Sequence, residues 1–149
     1  MNTDSFKKAG RSEKKMYGPR KILVCGYPAP EQSTLLYLLE ENGFSDLPVV
    51  FVSNSDSGKT LKELIGSPHS SGLGEDSEMN RAVIMSGLAQ KELYKLIAVY
   101  RLSELPSQLW ASVTPVSEMW SVAQLLSESA AETEATKKQG EDVNKYVHR

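Results

Sequence analysis

The chain has 149 residues, a hydrophobic content of 40% and a formal net charge of -2, so it is long enough for one ordinary core and too short for two. Its single cysteine excludes an internal disulfide and a cysteine-rich zinc site, which suits a reducing compartment. No apolar run approaches the roughly 20 residues of a membrane helix, and the start lacks the apolar region of a signal peptide. We therefore expect a soluble intracellular protein, in the cytoplasm or in an organelle matrix such as that of a plastid or mitochondrion.

Charge is unevenly distributed along the chain. Residues 1–21 hold seven basic and two acidic side chains, whereas residues 22–127 hold six basic and twelve acidic ones. An acidic body disfavours nucleic-acid binding, because affinity for nucleic acid depends largely on neutralising phosphates. Only the basic arm, residues 1–20, could touch RNA or a membrane surface, and a solvated, disordered tail is the simpler interpretation of it.

The folded region is predicted to begin at Lys21. KILVC is a short apolar run, which suits a strand buried on both faces of a parallel sheet. Pro30 and Glu31 open a helix, and Gly43 is a typical residue at its end. VVFV then predicts a second buried strand, and residues 60–65 predict a short helix.

The same order of elements recurs after residues 67–80, a segment with the composition of a flexible linker. RAVIM predicts a buried strand, and the apolar residues from Ala89 to Tyr100 follow helical spacing. QLWASV predicts a second strand, and Thr114 with Pro115 opens a last helix. Strand, helix, strand and helix therefore appear twice.

We interpret the halves, residues 21–66 and 81–127, as an internal repeat. ILVCG corresponds to VIMSG, and the interval from the glycine to the next Leu-Pro pair is three residues shorter in the second half. The economical assembly is one α/β domain over residues 21–127. We expect a four-stranded parallel sheet of order 2-1-3-4 with helices on both faces, a Rossmann-like three-layer arrangement. Residues 128–149 are expected to extend the last helix and then fray.

In an open parallel sheet, ligands bind beyond the carboxyl ends of the strands, where the strand order reverses. The sequence therefore predicts a rim at this edge, and a protein partner is the favoured ligand. The candidate rim residues all follow a predicted strand, and they are Gly26, Tyr27, Ser86, Gly87, Thr114 and Trp120.

A phosphate-binding loop is the sharpest alternative. SNSDSGKT lies between a strand and a helix and ends in Gly58, Lys59 and Thr60, as such a loop should. However, Ser53 stands where the first glycine belongs, and no predicted strand ends in an aspartate that could help to hold magnesium. Asp56 is also explained as a helix cap. No cofactor and no metal site is predicted.

Cys25 is the second alternative, because a thiolate after a first strand and before a helix could carry a phosphoryl group. The following loop opposes this interpretation. Glu31 stands six positions later, where the small phosphatases have arginine, and Pro28 and Pro30 remove amides that would hold a phosphate. A buried, inert thiol is the simpler prediction.

The second half resembles a known family. VIMSGL, the amphipathic helix, a strand that ends at Val113 and Thr114, and Trp120 before a leucine-bearing helix are similar to the DUF-3783 family, a small and mainly bacterial domain of unknown function. The resemblance covers about residues 21–127 and is strongest in the second half; the Gly-Lys-Thr sequence and the serine-rich linker are not features of that family. It supports the fold and implies no activity and no catalytic residue. The sequence thus favours a non-catalytic protein-interaction or regulatory module, with a phosphate-binding, nucleotide-binding or phosphotransfer protein as the alternative.

Overall fold

Four apolar segments form one open sheet in the computed structural model, which describes residues 14–129. The strand order β2-β1-β3-β4 agrees with the predicted order 2-1-3-4. Predictions for residues 1–13 and 130–149 lie outside the described residues. The strands are β1 (Lys21–Cys25), β2 (Val49–Val52), β3 (Ala82–Ser86) and β4 (Leu109–Ser112).

The prediction of an all-parallel sheet is wrong. β1 is parallel to β2 and β3 is parallel to β4, but the central strands β1 and β3 are antiparallel, with Leu23 opposite Ile84. Both central strands are buried on both faces, so their apolar runs carry no information about direction. The handedness rule constrains the crossover inside each half, whereas the long connection between the halves can lead into a strand of either direction. The sheet is therefore mixed.

Helices cover both faces of the sheet. α1 and α3 pack on one face, beside Ile22 and Val83, whereas α2 and α4 pack on the other face, beside Leu23 and Ile84. An all-parallel sheet with a two-fold axis along the strands would have placed α1 and α3 on opposite faces. The helices are α1 (Ala29–Glu41), α2 (Leu61–Ile65), α3 (Gln90–Arg101) and α4, which is described over residues 122–129.

The strand registers relate the two halves by a constant offset. Ile22 pairs with Val49 in the first half, and Val83 pairs with Trp110 in the second, so both members of the second pair lie 61 residues after those of the first. Leu23 and Ile84, which face each other at the centre of the sheet, have the same offset. The structural correspondence therefore needs no three-residue gap.

The segment predicted as a flexible linker lies along the outer edge of β2. The Val49 amide donates to His69 Nδ1 (3.0 Å), and the Ser70 amide donates to the Val49 carbonyl (2.7 Å). Gly72 approaches β2 so closely, at φ +79°, that a Cβ atom there would overlap the carbonyl oxygen of Phe51. These contacts pair an edge that would otherwise be open to another strand.

Residues 14–20, which the sequence analysis assigned to the basic arm, lie against the second half. The Met16 amide donates to the Leu88 carbonyl (2.8 Å), and the Gly87 amide donates to the Tyr17 carbonyl (2.9 Å). Arg20, the residue before β1, forms an ion pair with Glu92 in the first turn of α3. This part of the chain thus contributes to the folded body.

We predict that alanine at Gly26 or Gly87 is strongly destabilising. Both glycines have positive φ, and a Cβ atom would lie 2.5 Å from the Met79 carbonyl oxygen at Gly26 and 2.6 Å from the Arg20 nitrogen at Gly87. Backbone strain of this kind costs about 1–3 kcal/mol, and the overlap adds to it. Urea unfolding should show a loss of about 2 kcal/mol or more for each variant. Gly58→Ala is the matched control, since nothing lies within 4 Å of its Cβ position; equal losses at all three glycines would contradict the account.

Candidate functional site

The predicted rim residues do not lie together at one end of the sheet. Because β1 and β3 are antiparallel, their carboxyl ends lie at opposite ends of the sheet. Gly26 lies beside Arg81, which precedes β3, and Gly87 lies beside Arg20, which precedes β1. The rim candidates form two groups, Gly26 and Tyr27 at one end of the sheet and Ser86, Gly87 and Thr114 at the other.

The remaining rim candidates have local structural contacts. The Thr114 amide donates to Ser117 Oγ (3.0 Å), and the Ser117 amide donates to Thr114 Oγ1 (2.9 Å), which closes the turn after β4. The Trp120 carbonyl accepts from the Leu61 amide (3.0 Å), and its indole packs partly buried on the α2 and α4 face. Ser86 Oγ is buried without a hydrogen-bond partner among the described residues. These groups do not converge on one ligand position.

The loop proposed to bind phosphate is occupied by its own acidic residue. Asp56 Oδ2 accepts from the Ser53 amide (3.1 Å), and Asp56 Oδ1 lies 3.0 Å from Lys59 Nζ. Burial by itself raises the pKa of Asp56, but hydrogen bonds from Ser53 and Lys59 outweigh it and hold the pKa below its usual value. A carboxylate therefore already pairs with the lysine that would bind phosphate.

Thr60 begins α2 rather than completing a phosphate loop. The Glu63 amide donates to Thr60 Oγ1 (3.1 Å), and the Thr60 amide donates to Glu63 Oε1 (2.9 Å), which is a capping box. Gly58 lies in the turn before it, and α2 itself has only five residues. The Gly-Lys-Thr sequence thus has a structural explanation.

Cys25 is a core residue on the α2 and α4 face. Its relative exposure is 0%, and burial raises the pKa of its thiol to about 12. The thiol is consequently protonated at neutral pH, and a protonated thiol is a poor nucleophile. The structure gives no geometric support to covalent phosphotransfer through this residue.

A partly buried polar cluster lies where β1 ends and where β3 and β4 begin. Tyr27 follows β1, and its hydroxyl donates to Gln108 Oε1 (2.7 Å) and lies 3.2 Å from the hydroxyl of Tyr100, near the end of α3. The Arg81 guanidinium stacks 4.1 Å from the centre of the Tyr27 ring and bonds Glu31 Oε1 through Nη1 (2.6 Å). We call these five residues the polar cluster.

The charge state of the polar cluster follows from burial and pairing. Burial, reinforced by the hydrogen bond with Tyr100, raises the pKa of Tyr27 far above its usual value, so that hydroxyl stays neutral. Desolvation by itself lowers the pKa of Arg81, but hydrogen bonds with Tyr100 and Glu31 raise it overall. Arg81 Nε and Gln108 Nε2 are buried donors without a partner among the described residues. Both donors are therefore enclosed in the polar cluster, without contact with solvent.

The positions 61 residues away retain the ion pair of the cluster but not its other polar groups. Arg81 and Glu31 correspond to the paired Arg20 and Glu92, whereas the counterparts of the three other cluster residues and of neighbouring Trp110 are buried aliphatic side chains. Trp110 packs edge-on against Tyr100, with ring centres 5.4 Å apart. The corresponding pairs are Tyr27 with Leu88, Tyr100 with Leu39, Gln108 with Leu47, and Trp110 with Val49.

The outer edge of β4 adjoins the polar cluster. The Leu109 amide donates to the carbonyl of Arg81, just before β3 (3.2 Å), and the Val113 amide donates to the carbonyl of Met85 in β3 (2.9 Å). The alternating backbone therefore directs the amides of Trp110 and Ser112 outward. Within residues 14–129, no backbone group pairs with this side of β4. The sequence predicts Tyr100 on the apolar face of a helix and Gln108 and Trp110 in a strand, but none of them as a site residue. The available signal for a polar site was that Arg81 and Gln108 each begin an otherwise apolar segment.

A surface depression lies beside the covered edge of the sheet, next to β2. It has a volume of about 200 Å³ and is lined mainly by aliphatic and aromatic side chains, including Leu36 and Phe44, with Glu40 and His69 as its ionisable residues. His69 Nδ1 already accepts from a backbone amide. The depression therefore offers fewer polar groups than the polar cluster does.

The described residues offer no metal-binding constellation. In residues 14–129, no group of three or more His, Cys, Asp or Glu side chains is placed to hold a metal ion. No helix in that same range is both long enough and apolar enough to cross a membrane.

Comparison with known proteins finds a family match for the second half. Residues 81–135 match the model of a family described as a domain of unknown function, DUF3783, which confirms the predicted resemblance for that half; residues 21–80 lie outside the matched range. The matched segment contains β3, α3, β4 and the described part of α4. No curated protein and no solved structure matches the chain significantly. The family supplies no activity from which a function could be transferred.

The burial of Cys25 predicts that the free energy of unfolding depends on pH. The thiol pKa is higher in the folded protein than the usual 8.5 of an unfolded chain, so its contribution to stability is present below about pH 8.5 and is lost as pH rises toward 12. Between pH 7.5 and 9.5, the free energy of unfolding should fall by about 1 kcal/mol more in the wild type than in Cys25→Ala. Urea unfolding across this range measures the difference, and parallel pH curves for the two proteins would contradict complete burial.

Proposed function

We propose that this protein is a non-catalytic interaction module that binds an extended segment of a partner protein along the outer edge of β4. The observation that carries the proposal is the unpaired edge itself, where the outward amides of Trp110 and Ser112 have no backbone partner within residues 14–129. Adding a strand to such an edge is a common mode of peptide recognition, in which main-chain hydrogen bonds supply affinity.

The contrast between the two edges supports this assignment. The edge of β2 is covered by the segment that contains Ser70 and Gly72. Natural sheets protect free edges with charges, prolines or covering segments, yet the stretch from Gln108 to Val113 contains neither a charge nor a proline. An edge without such protection is suited to pairing.

The neighbouring side chains define the chemistry of the partner. β4 and its flanks are uncharged, so the paired segment should be uncharged and rich in β-branched or aromatic residues. Trp110 is half-buried and gives an aromatic contact surface.

No observation favours the phosphate-binding or phosphotransfer alternative. Lys59 is paired with Asp56 (3.0 Å), and Cys25 is buried and protonated. The predicted rim residues are divided between the two ends of the sheet. An interaction role requires none of these groups to act on a substrate.

The test is selection from a displayed library of random extended peptides against the full-length protein. We expect uncharged, β-prone peptides to be enriched and to bind Ser112→Pro at least about tenfold more weakly, because proline removes an outward amide while leaving the ladder to β3 intact. Ser112→Ala is the matched control, since it retains that amide. Isothermal titration calorimetry with the enriched peptides measures the change.

The position of the bound peptide gives the decisive comparison. Amide exchange should slow at Trp110 and Ser112 on binding, while exchange at Ala111, which faces β3, changes little. Enriched peptides that bind Ser112→Pro as tightly as wild type, or a selection that enriches none, would overturn the proposal.

A further inference from the structure

A two-fold axis relates the two halves. It passes through the sheet and through the layer of α2 and α4 that covers one of its faces. At the sheet, Leu23 lies opposite Ile84. Over the α2 and α4 face, Thr60 forms an antiparallel bridge with Ser121, closed by hydrogen bonds from the Leu61 amide to Trp120 and from the Val122 amide to Lys59 (3.0 and 3.1 Å). Members of both central pairs differ by 61 in residue number, so each pair consists of corresponding residues.

Ion pairs across the axis follow the same correspondence. Arg20 of the first half pairs with Glu92 of the second, and Arg81 of the second half pairs with Glu31 of the first. Each arginine directly precedes a central strand, and each glutamate lies in the first turn of the following helix. Contacts of residue i with j and of the counterpart of i with the counterpart of j are the signature of an isologous two-fold interface between copies.

Each half also extends a leading arm onto the other. Residues 14–20 bond the Gly87 to Gln90 turn of the second half. Residues 75–81 bond the first half, where Asp76 Oδ1 accepts from the Ala29 amide (3.0 Å) and the Glu78 amide donates to Asn54 Oδ1 (2.8 Å). Reciprocal arms are typical of subunits that have exchanged segments.

We propose that a second copy of this chain can supply either half, so that two chains exchange halves at this interface and form a dimer with two complete sheets. Each sheet then contains β1 and β2 of one chain and β3 and β4 of the other. All contacts across the axis are retained, because the exchanged halves are identical in sequence to those they replace. The association is concentration-dependent and competes with closure inside one chain.

A hinge for this exchange lies just before the second arm. Gly72 and Gly74 both have positive φ, at +79° and +92°, and flank Leu73, which is 46% exposed. Residues before this point contact β2, and residues after it form the arm of the second half. A change of backbone angles at two glycines redirects the chain with little steric cost.

Single-cysteine variants of the full chain, Thr60→Cys and Ser121→Cys, test the exchange. Facing residues of an antiparallel bridge have Cβ atoms about 4.5–5.5 Å apart, close to the disulfide range. The two variants are unfolded together in urea, refolded at low and high protein concentration, and oxidised. Cys25 does not interfere in the refolded protein, because it is buried.

We expect a covalent dimer from the mixture, with native circular dichroism and a yield that rises with protein concentration. Neither variant alone should give it, because in an exchanged dimer position 60 faces position 121. Ser45→Cys, at an exposed site away from the axis, measures random disulfide formation. The double variant Thr60→Cys/Ser121→Cys must form an intrachain disulfide, which shows that the geometry permits the bond. With that bond formed, a mixture that gives no more dimer than Ser45→Cys or than either single variant overturns the proposal.

Discussion

The antiparallel pairing of β1 with β3 about Leu23 and Ile84 is the contact on which the rest of the structure depends. It orients one half against the other, and it therefore decides that α1 and α3 share a face. It also brings the backbone after each central strand against the segment before the other, which is why Gly26 and Gly87 must be glycine. The ion pairs and the bridge between α2 and α4 follow from the same axis.

This arrangement changes where a binding site can be. In an all-parallel sheet the carboxyl ends of all strands lie at one end of the sheet, which favours a ligand there. The antiparallel central pair instead divides the carboxyl ends between the two ends of the sheet. The polar groups that remain together are those around Arg81 and Tyr27. The positions equivalent to Tyr27, Tyr100 and Gln108 at the opposite end of the sheet are aliphatic, whereas the ion pair of Arg81 has its equivalent in that of Arg20. The unpaired side of β4 lies next to these groups. Binding of a segment along β4 therefore agrees with the fold better than binding of a ligand beyond the strand ends.

Much of the fold was accessible from sequence, because apolar runs and helical spacing are local signals. The strands and the helices α1, α2 and α3 followed from them, and the strand order followed from the repeated pattern and the crossover rule. The last helix was predicted to begin at Thr114 and Pro115, which is wrong: residues 115–119 form a turn and a short 3-10 helix, and α4 begins after Ser121. The direction of β3 could not be predicted from these signals, because an apolar run such as VIMS fits a strand of either direction when both faces of the strand are buried. The roles of Arg81 and Gln108 were hidden for a related reason: a polar residue at the head of an apolar run acquires its partners, Glu31 and Tyr27, only through contacts between distant segments. Lys59 matched a motif whose loop is instead organised by Asp56.

The direction of the central pair can be measured directly. Proton NMR of the labelled protein detects contacts between backbone protons of neighbouring strands. Antiparallel pairing predicts cross-strand contacts of Lys21 with Ser86 and of Cys25 with Ala82, around a centre at Leu23 and Ile84. Contacts of Lys21 with Ala82 and of Cys25 with Ser86 would instead show parallel strands and would contradict the two-fold arrangement on which this account rests.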